Sequence, residues 1–438
     1  MCLNAMGWKV MMSLVGVVSI VGGILSPRAY SEPPCTMEVE LVLDAGDVAR
    51  SDVPVSVELP VGDRVSEELI SRLFAEGEPL AMLEDGSTTF PGQLEKMFDP
   101  DGAVTGLRLS WILESADPGE RKEYVARISS GDLPAVPQQF HFKDAPGMYL
   151  DCLFGTRPVY RYVYEFDPDR FYDTFKPFHH VYDIDGTNFI TNGPGGKHDN
   201  HHRGMYIGWS EVKVGGKSYN LWAMSDKSYQ EHVRFVNRES SAGPVLARRV
   251  AIVDWKNPDG EPVVRERREA VVYRQLADRH LFDMIFRLET LGGVVDMPGA
   301  NLHHAGFQFR AAEEVAHHRR STRYVIPRGS RRVNDSVNGP WCVQSPVVLE
   351  KRYAIQHMDH PSNPEPTVYS TRQYGRFGAF FPTTLEPGKP VHCRYRVSVQ
   401  PVKGKADLEV ERFERAYANY ARPPKVQVGE IKLEEAQH

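Results

Sequence analysis

The sequence predicts an all-β protein: a large antiparallel β-sandwich, preceded by a small mostly-β domain and followed by one C-terminal helix. Three observations carry this. Apolar and polar residues alternate with period two in many short segments, turn clusters such as Asn257-Pro-Asp-Gly and Leu291-Gly-Gly separate them, and only two stretches carry helical spacing. Strands without interleaved helices bury their apolar faces by packing sheet on sheet.

The chain has 438 residues, 41% hydrophobic and 25% charged, enough for a large buried core. Its N-terminus carries a lone Lys9, an apolar run from Val10 to Leu25, and small residues around Ala29 and Ser31. That pattern predicts a signal peptide over 1–31 and an exported, periplasmic or extracellular protein. The run is shorter than the roughly 20 residues of a spanning helix, so no membrane span is expected after signal removal. A formal charge of −6 offers no broad attraction to nucleic acid. Cleavage would leave Cys35, Cys152, Cys342 and Cys393, which spacing alone leaves open between bridges and buried thiols.

In chain order, Met37–Leu43, Val53–Pro60, Leu107–Leu113 and Glu123–Ser129 alternate as strands, and Val65, Leu69, Ile70, Leu73 and Phe74 fall at helical spacing. They define a small domain over 36–135. The two prolines of Asp132–Gln139 mark a linker. A sandwich domain is expected over 140–400, with strands in Arg157–Phe166, Met205–Trp209, Ala251–Trp255, Glu269–Leu276, His280–Glu289, Asn301–Arg310 and His392–Gln400. Residues 401–438 form the helix, over Lys405–Ala421, and a polar tail expected to fray after Pro423.

The chemistry-bearing residues are the histidines. Five of 16 (His179, His180, His198, His201 and His202) fall within 24 residues, where a glycine-rich turn, Gly193-Pro-Gly-Gly, precedes a strand. Loops on a rigid β scaffold are where binding groups sit, and imidazole moves protons or ligates metals near neutrality. The plainer reading is an extended segment whose adjacent histidines point opposite ways. Strand parity in Asn301–Arg310 sets His304 with Gly306 and Gln308, and His303 with the apolar Phe307 and Phe309. A third concentration is Gln356–Asn363, where a strand gives way to a loop carrying Asp359, His360 and Asn363.

The succession GPGG…HHRGMYIGW, SYNLWAM, PWCVQSP and HMDHPSNPEPTVYSTRQYGRFGAFFP resembles the bacterial PmoA-like family, a domain of unknown function, over roughly residues 140 to 400. His201, His202, Arg203 and Gly204 match one of its motifs, and Asp359, His360, Pro361 and Asn363 the other. The resemblance implies a galactose-mutarotase-like sandwich and a place in exported glycan degradation. Oxygenase activity is not implied, because the subunit behind the label spans membranes many times.

Two functions follow. In the first the protein is a secreted glycan hydrolase or lyase. His202 and His360 are then the expected proton donor and acceptor, supported by His201, His304 and Asp359. Arg203 would bind a carboxylate or a developing oxyanion, Asn363 would line the substrate site, and Trp209, Trp222 and Tyr374 offer faces to sugar rings. A carboxylate pair would mark hydrolysis, and an arginine-histidine-tyrosine cluster without one would mark elimination or epimerisation. The expected partner is a carbohydrate, without a cofactor. In the second the protein is a non-enzymatic glycan-binding or envelope protein, with a metal ion on His198-x-x-His201-His202. All assignments to the first site rest on the segments near 202 and 360 meeting in one cleft.

Overall fold

A computed structural model of the chain describes residues 35–62, 64–131, 133–134, 136–196, 201–274, 277–299 and 303–434. The expected signal peptide and His198 lie outside the described residues. Strands form where the alternation places them. In Thr36–Asp44, Met37, Val39, Leu41 and Leu43 are buried while Glu40 and Asp44 face solvent. This strand belongs to a seven-stranded antiparallel sheet built in the order Arg50–Pro60, Val104–Ala116, Thr89–Phe98, Leu80–Glu84, Arg121–Ser129, Thr36–Asp44 and Lys425–Glu434. The helix Glu67–Leu73, capped where Ser66 Oγ accepts from Leu69 N at 3.1 Å, buries Leu69, Ile70 and Leu73 in the same core.

The last strand corrects the expectation of a frayed tail. Val426, Val428 and Ile431 alternate well enough to pack on the small core, and Lys425–Glu434 pairs antiparallel along the whole of Thr36–Asp44. The polar residues between them had hidden that periodicity. A one-residue shift near Gly429 carries the apolar set past an irregularity, which a strict period-two reading does not follow.

The sandwich has two large antiparallel sheets. One runs in the order Arg332–Val333, Ser336–Asn338, Val368–Arg372, Arg376–Phe380, Ala305–Arg310, Met205–Trp209, Phe178–Val181, Arg157–Val163, Tyr149–Phe154 and Phe140–Ala145. The other runs in the order Tyr229–Phe235, Leu246–Lys256, Pro262–Tyr273, His280–Thr290, Val391–Pro401, Lys351–Asp359, Trp341–Ser345 and Arg323–Val325. Their facing sides meet in an aromatic core: Phe307 of the first sheet lies 5.2 Å from Phe286 and 5.0 Å from Tyr395 of the second, centroid to centroid. The fold is therefore all-β with a large antiparallel sandwich. The predicted helix divides into a short 3-10 turn, Lys405–Leu408, and the helix Val410–Ala421, whose Phe413 and Tyr420 pack with Trp341, Val343, Ala354 and Met358 on the second sheet.

The small seven-stranded sheet is fastened to the sandwich by polar contacts. Gln93 Oε1 accepts from the amides of Val245 and Leu246 at 3.1 and 2.9 Å, and Arg248 bridges Glu95 and Glu269. Cys35, Cys152, Cys342 and Cys393 are buried free thiols. Among the described residues no helix is long and apolar enough to cross a membrane.

Candidate functional site

Four segments converge on the side of the first sheet that faces away from the sandwich core. Along Met205–Trp209, Ile207 and Trp209 point into the core, whereas Tyr206 points out and lies 5.2 Å from Trp222. The histidine segment enters this face tightly. Asn192 Nδ2 donates to His202 O at 2.9 Å, and a Cβ on Gly204 would stand 2.0 Å from His179 O. Only glycine allows that approach, which explains the residue after His201-His202-Arg203.

His202 is buried at the centre. Its ring lies 4.0 Å from His201, 6.1 Å from His304 at an interplanar angle of 4°, and 5.9 Å from Tyr374 at 24°. Trp222 Nε1 donates to His202 Nε2 at 3.3 Å, and the same indole meets His304 edge-on at 5.3 Å. Accepting at Nε2 puts the single proton of neutral His202 on Nδ1. Burial, followed by the charge of Arg376, holds His202 well below the ordinary imidazole range, and the same two causes push half-buried His304 down to about 3. Both rings are neutral at physiological pH.

Beneath them are cations that the sequence did not single out. Arg376, wholly buried, donates to His303 O at 2.7 Å, Ser370 Oγ at 3.1 Å and Tyr374 Oη at 3.2 Å. Arg310, equally buried, donates to Tyr374 O at 2.7 Å and pairs with Glu313 at 3.3 Å. Lys176 donates to Trp222 O and rests over the Tyr206 ring at 3.7 Å, and burial drives its ammonium well below the ordinary lysine range. The available signal was arginine at strand positions between buried aromatics, as in Phe307–Arg310 and Arg376–Phe380, where a solvated charge is out of place.

Not every expected residue joins. His201, His202, His304, Trp222 and Tyr374 meet, while Asp359, His360 and Asn363 belong to the other sheet. His360 follows Lys351–Asp359, donates its backbone amide to Arg394 O at 3.2 Å, and sets its ring 5.2 Å from Tyr420 of the C-terminal helix. Asn363 mimics a strand neighbour, giving Nδ2 to Arg394 O at 2.8 Å and taking Arg394 N at 2.7 Å, while its Nδ2 also reaches Asp359 at 2.6 Å. The motif Asp-His-Pro-Ser-Asn thus fastens a loop to Val391–Pro401. The expectation that segments near 202 and 360 share a cleft is corrected: they attach to strands of different sheets.

Three further expectations change. Arg203 is wholly buried, stacks 4.2 Å over Phe175 and donates to the backbone carbonyls of Tyr172 and Asp173, so it braces a loop. Trp209 is a core residue, donating to Phe381 O at 3.1 Å beside Trp255, with no face open to a sugar. His303 and His304 do not alternate on a strand, because the strand begins at Ala305 and both precede it in a turn. His303 therefore also meets the outward face, at Ser370 Oγ, 2.8 Å away. His179 and His180 pack among aromatics, stacked on Tyr162 and Phe189. Among the described residues no three His, Cys, Asp or Glu side chains lie close enough together to hold a metal ion.

A profile for the family of unknown function DUF6807 matches residues 149–414. The chain belongs to that family. The DUF6807 stretch contains the whole histidine cluster and none of the seven-stranded sheet. No curated protein matches. Among solved structures the chain is similar to a protein in glycosyl hydrolase family 38 from Enterococcus faecalis, at 10% identity and a TM-score of 0.39, over 90% of this chain and 47% of that one. The chain thus spans about half the length of that neighbour.

Proposed function

We propose that this DUF6807 chain is an exported carbohydrate-active enzyme that transfers protons on the outward face of the first sandwich sheet. In this reading it is a PmoA-like protein, with 140–400 as its catalytic domain and 36–135 as an accessory domain. The observation that carries it is the placement of Tyr374: its phenol oxygen accepts from Arg376 Nε at 3.2 Å while its ring lies alongside His202. A phenol held by a guanidinium has its own proton to give, and the neutral imidazole of His304, which lies 6.1 Å from the same His202 ring, has a lone pair to take one. Trp222 gives the pair a rigid apolar wall.

The composition of the face favours a lyase over a hydrolase. Glycoside hydrolysis uses two carboxylates flanking the scissile bond. Here Glu313 is bound to Arg310, and Asp359, the acid expected from sequence, lies on the other sheet. Arginine, histidine and tyrosine instead suit abstraction of a carbon-bound proton and protonation of a leaving oxygen.

The test is incubation of the purified protein with glycan panels, following both new reducing ends and the ultraviolet absorbance of unsaturated sugar. Glycan cleavage that is lost in His304→Ala and Tyr374→Phe, with the fold intact by circular dichroism, supports the reading. Undiminished cleavage in both variants rejects the assignment, and binding without cleavage identifies a glycan-binding protein.

A further inference from the structure

Three guanidiniums, those of Arg203, Arg310 and Arg376, are wholly buried in or beside the outward face of the first sheet. A buried cation is tolerated when an anion and hydrogen bonds replace its lost water. Arg310 has Glu313. Arg203 has two backbone carbonyls. Arg376 has a carbonyl, a serine hydroxyl and a phenol, all neutral, and among the described residues no carboxylate pairs with it. Its positive field is therefore uncompensated, and it acts in a low-dielectric wall formed by Trp222 and Phe380, whose rings stand 5.7 and 5.5 Å from the guanidinium carbon. The open side of that wall carries the half-buried His304 and Tyr374. At the rim, exposed Arg319 stands 5.8 Å over the Tyr374 ring.

Resting on the carbohydrate reading above, the geometry points to an acidic glycan as the ligand, with a uronate carboxylate placed over Tyr374 and His304 as the anion that answers Arg376, and with Arg319 at the rim. A neutral sugar would leave the field of Arg376 unanswered. The carboxylate also answers the chemistry. His304, depressed first by burial and then by Arg376, is a poor proton acceptor alone; an anion delivered beside it offsets the arginine and restores its basicity. His304 then removes the proton from the carbon bearing the carboxylate. That electron pair becomes a carbon–carbon double bond, the neighbouring carbon–oxygen bond breaks, and the departing oxygen takes the proton of Tyr374. His304 then releases its proton to solvent and Tyr374 regains one from it, which closes the cycle with no water, oxidant or reductant consumed. Negative charge building on the carboxylate in between is stabilised by the arginines.

The test is calorimetric titration of the full chain with three probes: a galacturonate trisaccharide, its methyl ester, and a sulfated neutral trisaccharide. The acid is expected to bind at least about tenfold more tightly than its ester, and Arg319→Gln and Arg376→Gln each to remove about that factor. Arg319→Gln, on the surface, keeps the test meaningful if Arg376→Gln does not fold. Ester binding as tight as acid binding, or preference for the sulfated probe, overturns the inference while leaving a carbohydrate function standing. Tight acid binding without bond cleavage does the reverse: the ligand assignment holds and the enzymatic reading fails.

Discussion

Trp222 Nε1 donates to His202 Nε2 across 3.3 Å, so the indole sets the tautomer of the central imidazole and fixes which nitrogen faces the rest of the cluster. Trp222→Phe keeps an aromatic ring, removes the donor and leaves a small cavity where the rest of the buried indole packed. His202 is then expected to lose its single tautomer, visible in the nitrogen chemical shifts of the ring, and the protein to lose about 1 kcal/mol of stability for the missing bond and more for the cavity. An unchanged ring spectrum in the variant would show that the contact does not select the tautomer.

Removal of proton-transfer groups on the first sheet is expected to separate cleanly from removal of His360. His304→Ala or Tyr374→Phe should lower turnover on a cleaved glycan by about 10²- to 10⁴-fold, the usual weight of positioned acid–base groups. His360→Ala removes a ring that packs on Tyr420, 5.2 Å away, and should cost stability with little change in turnover. Parallel measurement of kcat and thermal midpoint checks both arms, and a His360→Ala enzyme as slow as His304→Ala would reject the separation of the two sheets' roles.

The all-β class was legible because buried strands alternate, and Met205–Trp209 begins and ends where its residues predict. The histidine-rich turn was legible as a functional candidate because polar residues gather there without a packing reason. Which distant loops meet was not legible. Asp359-His360 and His201-His202 look alike as strings, yet one follows a strand of the second sheet and the other precedes a strand of the first. Arg376 and Arg310 escaped notice because their role comes from burial, which local composition does not display. Trp209 looked like a sugar platform for the same reason in reverse: a tryptophan ending a strand reads alike whether its neighbour is solvent or Trp255.

Stability is expected to fall as pH rises from about 4 to about 7 through Asp359. Burial is the main cause that pushes its carboxyl up to about 7 from an ordinary value of 3.8, against the smaller opposing hydrogen bonds from Asn363 and Thr367. The folded protein therefore holds a proton that the unfolded chain has released, so the folded state is penalised progressively over that window and by a constant amount above it. Asp359→Asn keeps an acceptor for Asn363 and cannot ionise. Its denaturation midpoint should gain on the parent protein between pH 5 and pH 8, and a gain that is equal at the two pH values would remove Asp359 as the source.

The strand Lys425–Glu434 makes the final prediction, because its residues lie nearly 300 positions from the nearest preceding strand of the sheet it completes. Truncation after Pro424 would strip Thr36–Asp44 of one of its two partners and expose the core side covered by Val426, Val428 and Ile431. Burying side chains of this kind contributes about 1.5 to 3 kcal/mol each when complete, and these three are partly buried, so a loss of roughly 2 to 4 kcal/mol is expected. The exposed edge of Thr36–Asp44 would also become a template for pairing with another chain. The histidine cluster rests on a different sheet and should keep its His202 ring signals. Calorimetry should therefore show the truncated chain unfolding at a lower temperature, with light scattering rising before the transition; a full-length midpoint in the truncated chain would mean that the small core does not depend on its last strand.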